Sequence, residues 1–294
     1  MKQTLIILGL ALLLGQASSK RVTFGINKMS KQEAIALNGG QPITLGAARK
    51  YDIPLHSGIL PDDWLYYGTF YVGSTPDKVN LLFTSLTDWT VIAAYNCANC
   101  DNKQYNYEVS ETNKRGQGNV FYSEKSWLEV DGFNLTGFSS RDIICSERRG
   151  GECIGSPGPE FFTVTSDPQK FLGLFSGVIG LIPASDAPLS PGDTSLIAYL
   201  RGRGYTDNSQ VSVLLREGDA DQSSVIFGGY DETLLYPDKD GKFVMLPMKV
   251  KDGTMHIENV ATYIGNSSLS NDTRVQVDSF FPGILLPKGQ WDIF

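Results

Sequence analysis

Residues 80–100, NLLFTSLTDWTVIAAYNCANC, run from an apolar segment through a small turn rich in hydroxyls to an aromatic, a second apolar segment and a close cysteine pair. Two apolar runs around a short polar turn predict a strand, a tight loop that presents something, and a return strand. Thr84 is expected at the tip of that loop. The same pattern continues outward. Strands are predicted at 66–72, 79–83 and 91–94, the first two joined by the turn GSTPD. More follow in SWLEVDGF (126–133), GVIGLI (177–182), QVSVLL (210–215) and SSVIFGGY (223–230). One helix stands out at 195–201, where Leu196, Tyr199 and Leu200 share a face, Asp193 or Thr194 can cap the start and Gly202 can end it. The fold class is therefore mostly β, with sheets closed or stacked on one another. The segment ASDAPLSPGD (184–193) is the expected boundary between two lobes.

Residues 1–19 have the form of a secretory signal peptide: Lys2, an apolar block from Leu5 to Leu14, then small residues at Ala17, Ser18 and Ser19. The block is too short to span a bilayer, and no later run reaches its length, so no membrane span is expected. The predicted location is secreted, or a secretory or lysosome-like compartment. About 275 residues remain, enough for one large domain or two lobes with real cores. An apolar fraction of 41% with 31 Gly and 14 Pro describes a globular, turn-rich chain.

Charge divides the chain. Residues 20–52 hold Lys20, Arg21, Lys28, Lys31, Arg49 and Lys50 against Glu33 and Asp52, a balance of +4, whereas 53–294 hold 18 basic and 30 acidic groups, a balance of −12. A basic leader before an acidic body suggests a segment lying across that body, held by opposite charge; a solvated acidic surface explains the body's balance equally well. The acidity excludes nucleic acid as the expected partner.

The four cysteines fall as Cys97/Cys100 and Cys145/Cys153. In an exported chain an even count reads as disulfides, and two local loops are the simplest of three pairings. A redox role for CANC would need a βαβ setting that the pattern does not offer, and the second spacing is long for zinc. No metal and no cofactor is expected. Asn134 (NLT), Asn266 (NSS) and Asn271 (NDT) are glycosylation acceptors by motif.

Five segments, in order, carry a family resemblance. YYGTFYVGSTPDKVNLLFTSLTDWTVIAAYNCANC, FSGVIGLIP, VIFGGYD and VDSFFPGILLP resemble the two catalytic regions and intervening strands of pepsin-like aspartic peptidases. KRVTFGINKMSKQEAIALNG is similar to their basic pro-segments. The resemblance implies a bilobal β-barrel fold with a signal peptide at 1–19, a pro-segment-like leader at 20–54, an N-terminal β lobe at 55–190 and a partial C-terminal β lobe at 191–294. The second lobe is expected to be incomplete, because Phe294 follows Asp278 by 16 residues. The chain is expected to be a monomer.

In that family each lobe contributes Asp-Thr/Ser-Gly. The second aspartate corresponds to Asp278, followed by the hydroxyl of Ser279. The first corresponds to Thr84, with Ser85 keeping the adjacent hydroxyl. Leu86 and Phe280 stand where the family has glycine, and the flap would lie in ETNKRGQGNVFY (111–122), with Lys114 near its tyrosine position. Two carboxylates sharing a proton perform the acid/base work, one activating water and the other protonating the substrate. A threonine hydroxyl positions water but offers no acid or base at accessible pH, and losing one partner ordinarily forfeits about 10²- to 10⁴-fold. Asp88, four residues on, is expected to be a turn or surface residue rather than a replacement acid.

Three functions therefore stand as expectations. The first is a secreted homologue with impaired catalysis that binds extended peptides in a residual cleft. The second is an active aspartic endopeptidase acting on polypeptides. The third is a secreted glycoprotein that keeps only the fold.

Overall fold

The computed structural model describes residues 20–30, 33, 64–85, 88–116, 135–148, 153–155, 157–168, 172–182, 195–214, 223–230, 249–251, 254–264 and 267–276. Its strands are β1 (Val22–Gly25), β2 (Asn27–Ser30), β3 (Trp64–Val72), β4 (Asp77–Thr84), β5 (Thr90–Ala98), β6 (Lys114–Arg115), β7 (Thr136–Arg141) and β8 (Ile144–Cys145). They continue with β9 (Cys153–Ile154), β10 (Glu160–Ser166), β11 (Gly177–Gly180), β12 (Val211–Leu214), β13 (Ser224–Phe227), β14 (Lys249–Lys251), β15 (Thr254–Ile264) and β16 (Ser267–Gln276). One helix, α1 (Leu196–Gly202), lies between β11 and β12. The described fold is mostly β.

The largest sheet runs β6-β7-β10-β5-β11-β4-β3-β8-β9, with β2 added beside β3. Its centre is buried on both faces. Ile92 of β5, Phe161 of β10 and Ile179 of β11 point into one core with Phe70, Phe83 and Leu200. Val91, Phe162 and Val178 from the same three strands point into a second core with Trp89, Val164 and Leu172. A strand covered on both faces has no polar side to show, which is why residues 91–94 read VIAA with no alternation. Strand β4 has one fully covered face, and there Val79, Leu81 and Phe83 alternate with less buried neighbours.

β11 is parallel to β4 and antiparallel to β5. Gly177 allows that insertion, since a Cβ there would run into the Val91 carbonyl of β5.

The leader is built into this architecture. β1 pairs antiparallel with β13, and β13 with β12, in a three-stranded sheet; β2 pairs antiparallel with β3. Val22, Phe24 and Ile26 are buried, and the Phe24 ring lies 5.0 Å from Phe70 and 5.7 Å from Phe227, centroid to centroid. Each such side chain contributes roughly 1.5–3 kcal/mol on leaving water. Ladder pairing and this apolar row hold residues 20–30, in addition to any attraction of charge.

Helix α1 starts where the sequence suggested, but its cap is Ser195, whose Oγ accepts from the Ala198 amide at 3.4 Å, rather than Asp193 or Thr194. Gly202 is its last residue, and Arg203 caps the end. Leu196, Ile197, Tyr199 and Leu200 are buried. The strand expected at 126–133 lies outside the described residues. Strands β14, β15 and β16 form a separate antiparallel sheet with several register shifts.

Both cysteine pairs are bonded as the local pairing anticipated: Cys97 to Cys100, Cα atoms 5.6 Å apart, and Cys145 to Cys153, 4.0 Å apart. The second closes the β8–β9 hairpin. Among the described residues no helix is long and apolar enough to cross a membrane.

Because Phe24 fills the contact between the two sheets, Phe24→Ala is expected to cost about 3–5 kcal/mol of unfolding free energy, measured by urea titration. A loss below about 1 kcal/mol would show that the leader lies outside the cooperative core.

Candidate active site

Thr84 is the last residue of β4, not the tip of the loop, and it is 9% exposed. Ser85 and Asp88 are each 4% exposed. The base of the loop is closed by the end of β11. The Leu181 amide donates to the Thr84 carbonyl at 2.8 Å, and the Gly180 amide donates to the Trp89 carbonyl at 2.9 Å. Two consecutive N–H groups thus tie the outgoing and returning ends of residues 84–89 to one strand end. Thr84, Ser85, Asp88 and Trp89 are all engaged in side-chain or electrostatic contacts. Of the expected turn or surface placement of Asp88, the surface one is corrected: Asp88 is buried together with Trp89 and Thr90, which follow it.

Asp278 and Ser279 lie outside the described residues, as do Leu86, Phe280, Asn134 and Asn266. β16 ends at Gln276, two residues before Asp278, and contains Asn271. Of the flap segment 111–122, the described part places Lys114 and Arg115 in β6, paired with Arg141 and Ser140 and exposed. The Arg115 guanidinium sits 3.9 Å over the Phe138 ring, a cation–π contact that holds this edge down.

Two other buried carboxylates are accounted for by structure. Asp142 accepts from the Tyr105 hydroxyl at 2.8 Å, the Thr112 hydroxyl at 2.5 Å and the Ile143 amide at 2.8 Å. Asp167 accepts from the Leu172 amide at 2.9 Å. Burial, reinforced by the charge of Asp142, pushes the Tyr105 phenol far above its ordinary range. Asp77 lies nearby; burial raises its carboxyl above the usual value, against the opposing hydrogen bond from the Asn106 amide. This polar group sits under the β3–β4 turn, where Gly73 adopts φ +85° against Ser110. Sequence reasoning passed over Asp142, although a lone acid directly after the strand TGFSSR was available as a signal.

A recess of about 220 Å³ lies away from the Thr84 loop, lined by Phe24, Gly25, Ile26, Asn27, Thr69 and Ser146. It forms because β2 and β8 cover opposite ends of one edge of β3 and meet neither each other nor Thr69 by pairing. Among the described residues there is no group of three or more His, Cys, Asp or Glu side chains suited to a metal ion.

No protein-family model matches the chain. No curated protein matches it either.

Chemically, the described loop offers two buried hydroxyls and one buried carboxylate. The hydroxyls can hold a water or a backbone carbonyl, and Asp88 is the carboxylate described beside them.

The Tyr105–Asp142 pair gives a pH test. Because the folded state keeps the phenol protonated, its contribution is complete below about pH 10, where unfolded tyrosine ionises, and is lost as pH rises above that value. Tyr105→Phe should cost about 1–3 kcal/mol at neutral pH and flatten the decline of stability between about pH 10 and 11.5. An unchanged alkaline slope, followed by circular dichroism in urea, would show that Tyr105 ionises freely in the fold.

Proposed function

We propose that the chain is a secreted, pepsin-like aspartic-peptidase homologue in which peptide binding has outlived peptide cleavage. The observation that carries this reading is the position of Thr84. It ends a central strand, sealed between β3 and β11, with its carbonyl locked by Leu181. A loop held in that way supports a reacting group in a fixed place. The group supplied there is a hydroxyl, which orients water or a substrate carbonyl without moving a proton. Asp278 then acts alone, without the like-charged partner that tunes a dyad. Extended polypeptide is the ligand class this reading assigns.

The test is an assay on denatured protein between acid and neutral pH, together with fluorescence anisotropy of labelled unstructured peptides. Saturable binding without cleavage is expected. Cleavage that is blocked by a statine-type transition-state analogue and abolished by Asp278→Ala overturns the reading.

One observation favours a second reading, an active enzyme. Asp88 is buried on the Thr84 loop and is the one described carboxylate there. In that case cleavage would vanish in Asp88→Asn as well as in Asp278→Ala.

Repair is expected to be insufficient. Thr84→Asp would place a second acid in a site that is 9% exposed, where it stays protonated or meets repulsion. Leu86 and Phe280 would hold the loops off productive geometry, and an error near 1 Å costs about 10²-fold. No turnover and a lower melting temperature are expected. Robust cleavage by the single variant would show that the loops have kept their catalytic shape.

A further inference from the structure

Lys20, the first residue after the expected signal peptide, is held through its main chain. The Lys20 main-chain nitrogen lies 2.8 Å from Oδ2 of Asp207, and the Lys20 ammonium on the side chain reaches the Gly204 carbonyl at 3.4 Å. Both acceptors belong to the turn that follows α1, where the last carbonyls of a helix favour cations. The position is tight on its other side too. A Cβ on Gly228, which has φ +92°, would stand 2.8 Å from the Lys20 carbonyl, so Lys20 packs directly on the end of β13. Immediately before Lys20 stand Ala17, Ser18 and Ser19, small residues of the kind that end a signal peptide.

We propose that the export signal is cut between Ser19 and Lys20 and that the new amino terminus is an ionic staple, its α-ammonium paired with Asp207. This rests on the export reading above. In the hydrolysis, carried out by a signal peptidase, water adds across the Ser19–Lys20 amide. The Ser19 carbonyl carbon gains the hydroxyl and leaves as a carboxylic acid, and the Lys20 nitrogen gains the hydrogen. A free α-amino group ordinarily titrates near 8, so at neutral pH it takes a further proton and becomes an ammonium.

A neutral amide donor to Asp207 is thereby replaced by a charged one at the same place, and charge-assisted bonds are the stronger kind. The pair fastens β1 at its first residue, directly beside the buried row of Val22, Phe24 and Ile26. Removal of the signal therefore tightens the leader onto the fold instead of releasing it. Cutting one residue earlier or later would move the charge off Asp207 by a residue's length, roughly 3.3 Å in a strand.

The experiment has two arms on the full chain. In the first, the protein exported by a eukaryotic host is sequenced from its amino terminus. Lys20 is expected as the first residue. A start at any other residue overturns the staple while leaving export intact, and a cell-retained chain still beginning with Met1 overturns both. In the second, the protein beginning at Lys20 is compared with the same protein selectively acylated on its α-amino group, each with and without Asp207→Asn, by hydrogen exchange of the Val22–Gly25 amides. With the amine free, Asp207→Asn should speed exchange about 2- to 5-fold, the range for an exposed ion pair. After acylation it should have less effect. An Asp207→Asn effect of equal size in both backgrounds, or none in either, overturns the staple.

Discussion

Insertion of the four-residue strand Gly177–Gly180 between β4 and β5 governs the architecture around Thr84. The strand is covered on both faces, with Ile179 and Val178 serving different cores. Once it is in place, the amides just beyond it have two carbonyls in reach, those of Thr84 and Trp89. The two ends of residues 84–89 are therefore tied by backbone hydrogen bonds to one strand end.

Much of the described framework was legible in the sequence. Apolar runs marked β3, β4, β5, β11, β12 and β13, and the helix came with its buried face. The less legible strands share a cause. β7 and β10 interleave hydroxyls with their apolar side chains and bury some of them, as Thr163 with Ser140 at 2.8 Å. Arg141 and Glu160 extend the disguise with an ion pair at 2.9 Å. β15 and β16 are long and largely polar, so alternation has little to mark. At the loop, the sequence put Thr84 at the tip where it in fact ends β4, and it left the burial of Asp88 unread, because a single Asp in a turn motif reads the same whether the residue faces water or is buried.

The buried acids illustrate the same ambiguity from the other side. Asp142, Asp167 and Asp88 are all nearly or fully inaccessible, yet the first two are bound by donors that a structural role explains: three to Asp142, and a nearby amide to Asp167. Buried carboxylates require such partners whether or not they react. Burial alone therefore does not mark a catalytic acid.

Pairing of Val22–Gly25 with Ser224–Phe227 also sets a clock on synthesis. The leader strand leaves the ribosome first, and its partner follows roughly 200 residues later, about 10–40 s at ordinary elongation rates. Throughout that interval Val22, Phe24 and Ile26 have no β13 to cover them. The nascent chain thus carries an uncovered apolar strand through about two-thirds of its translation, a strong reason for it to need a chaperone on that strand. The fold closes only when the two ends of this long loop meet.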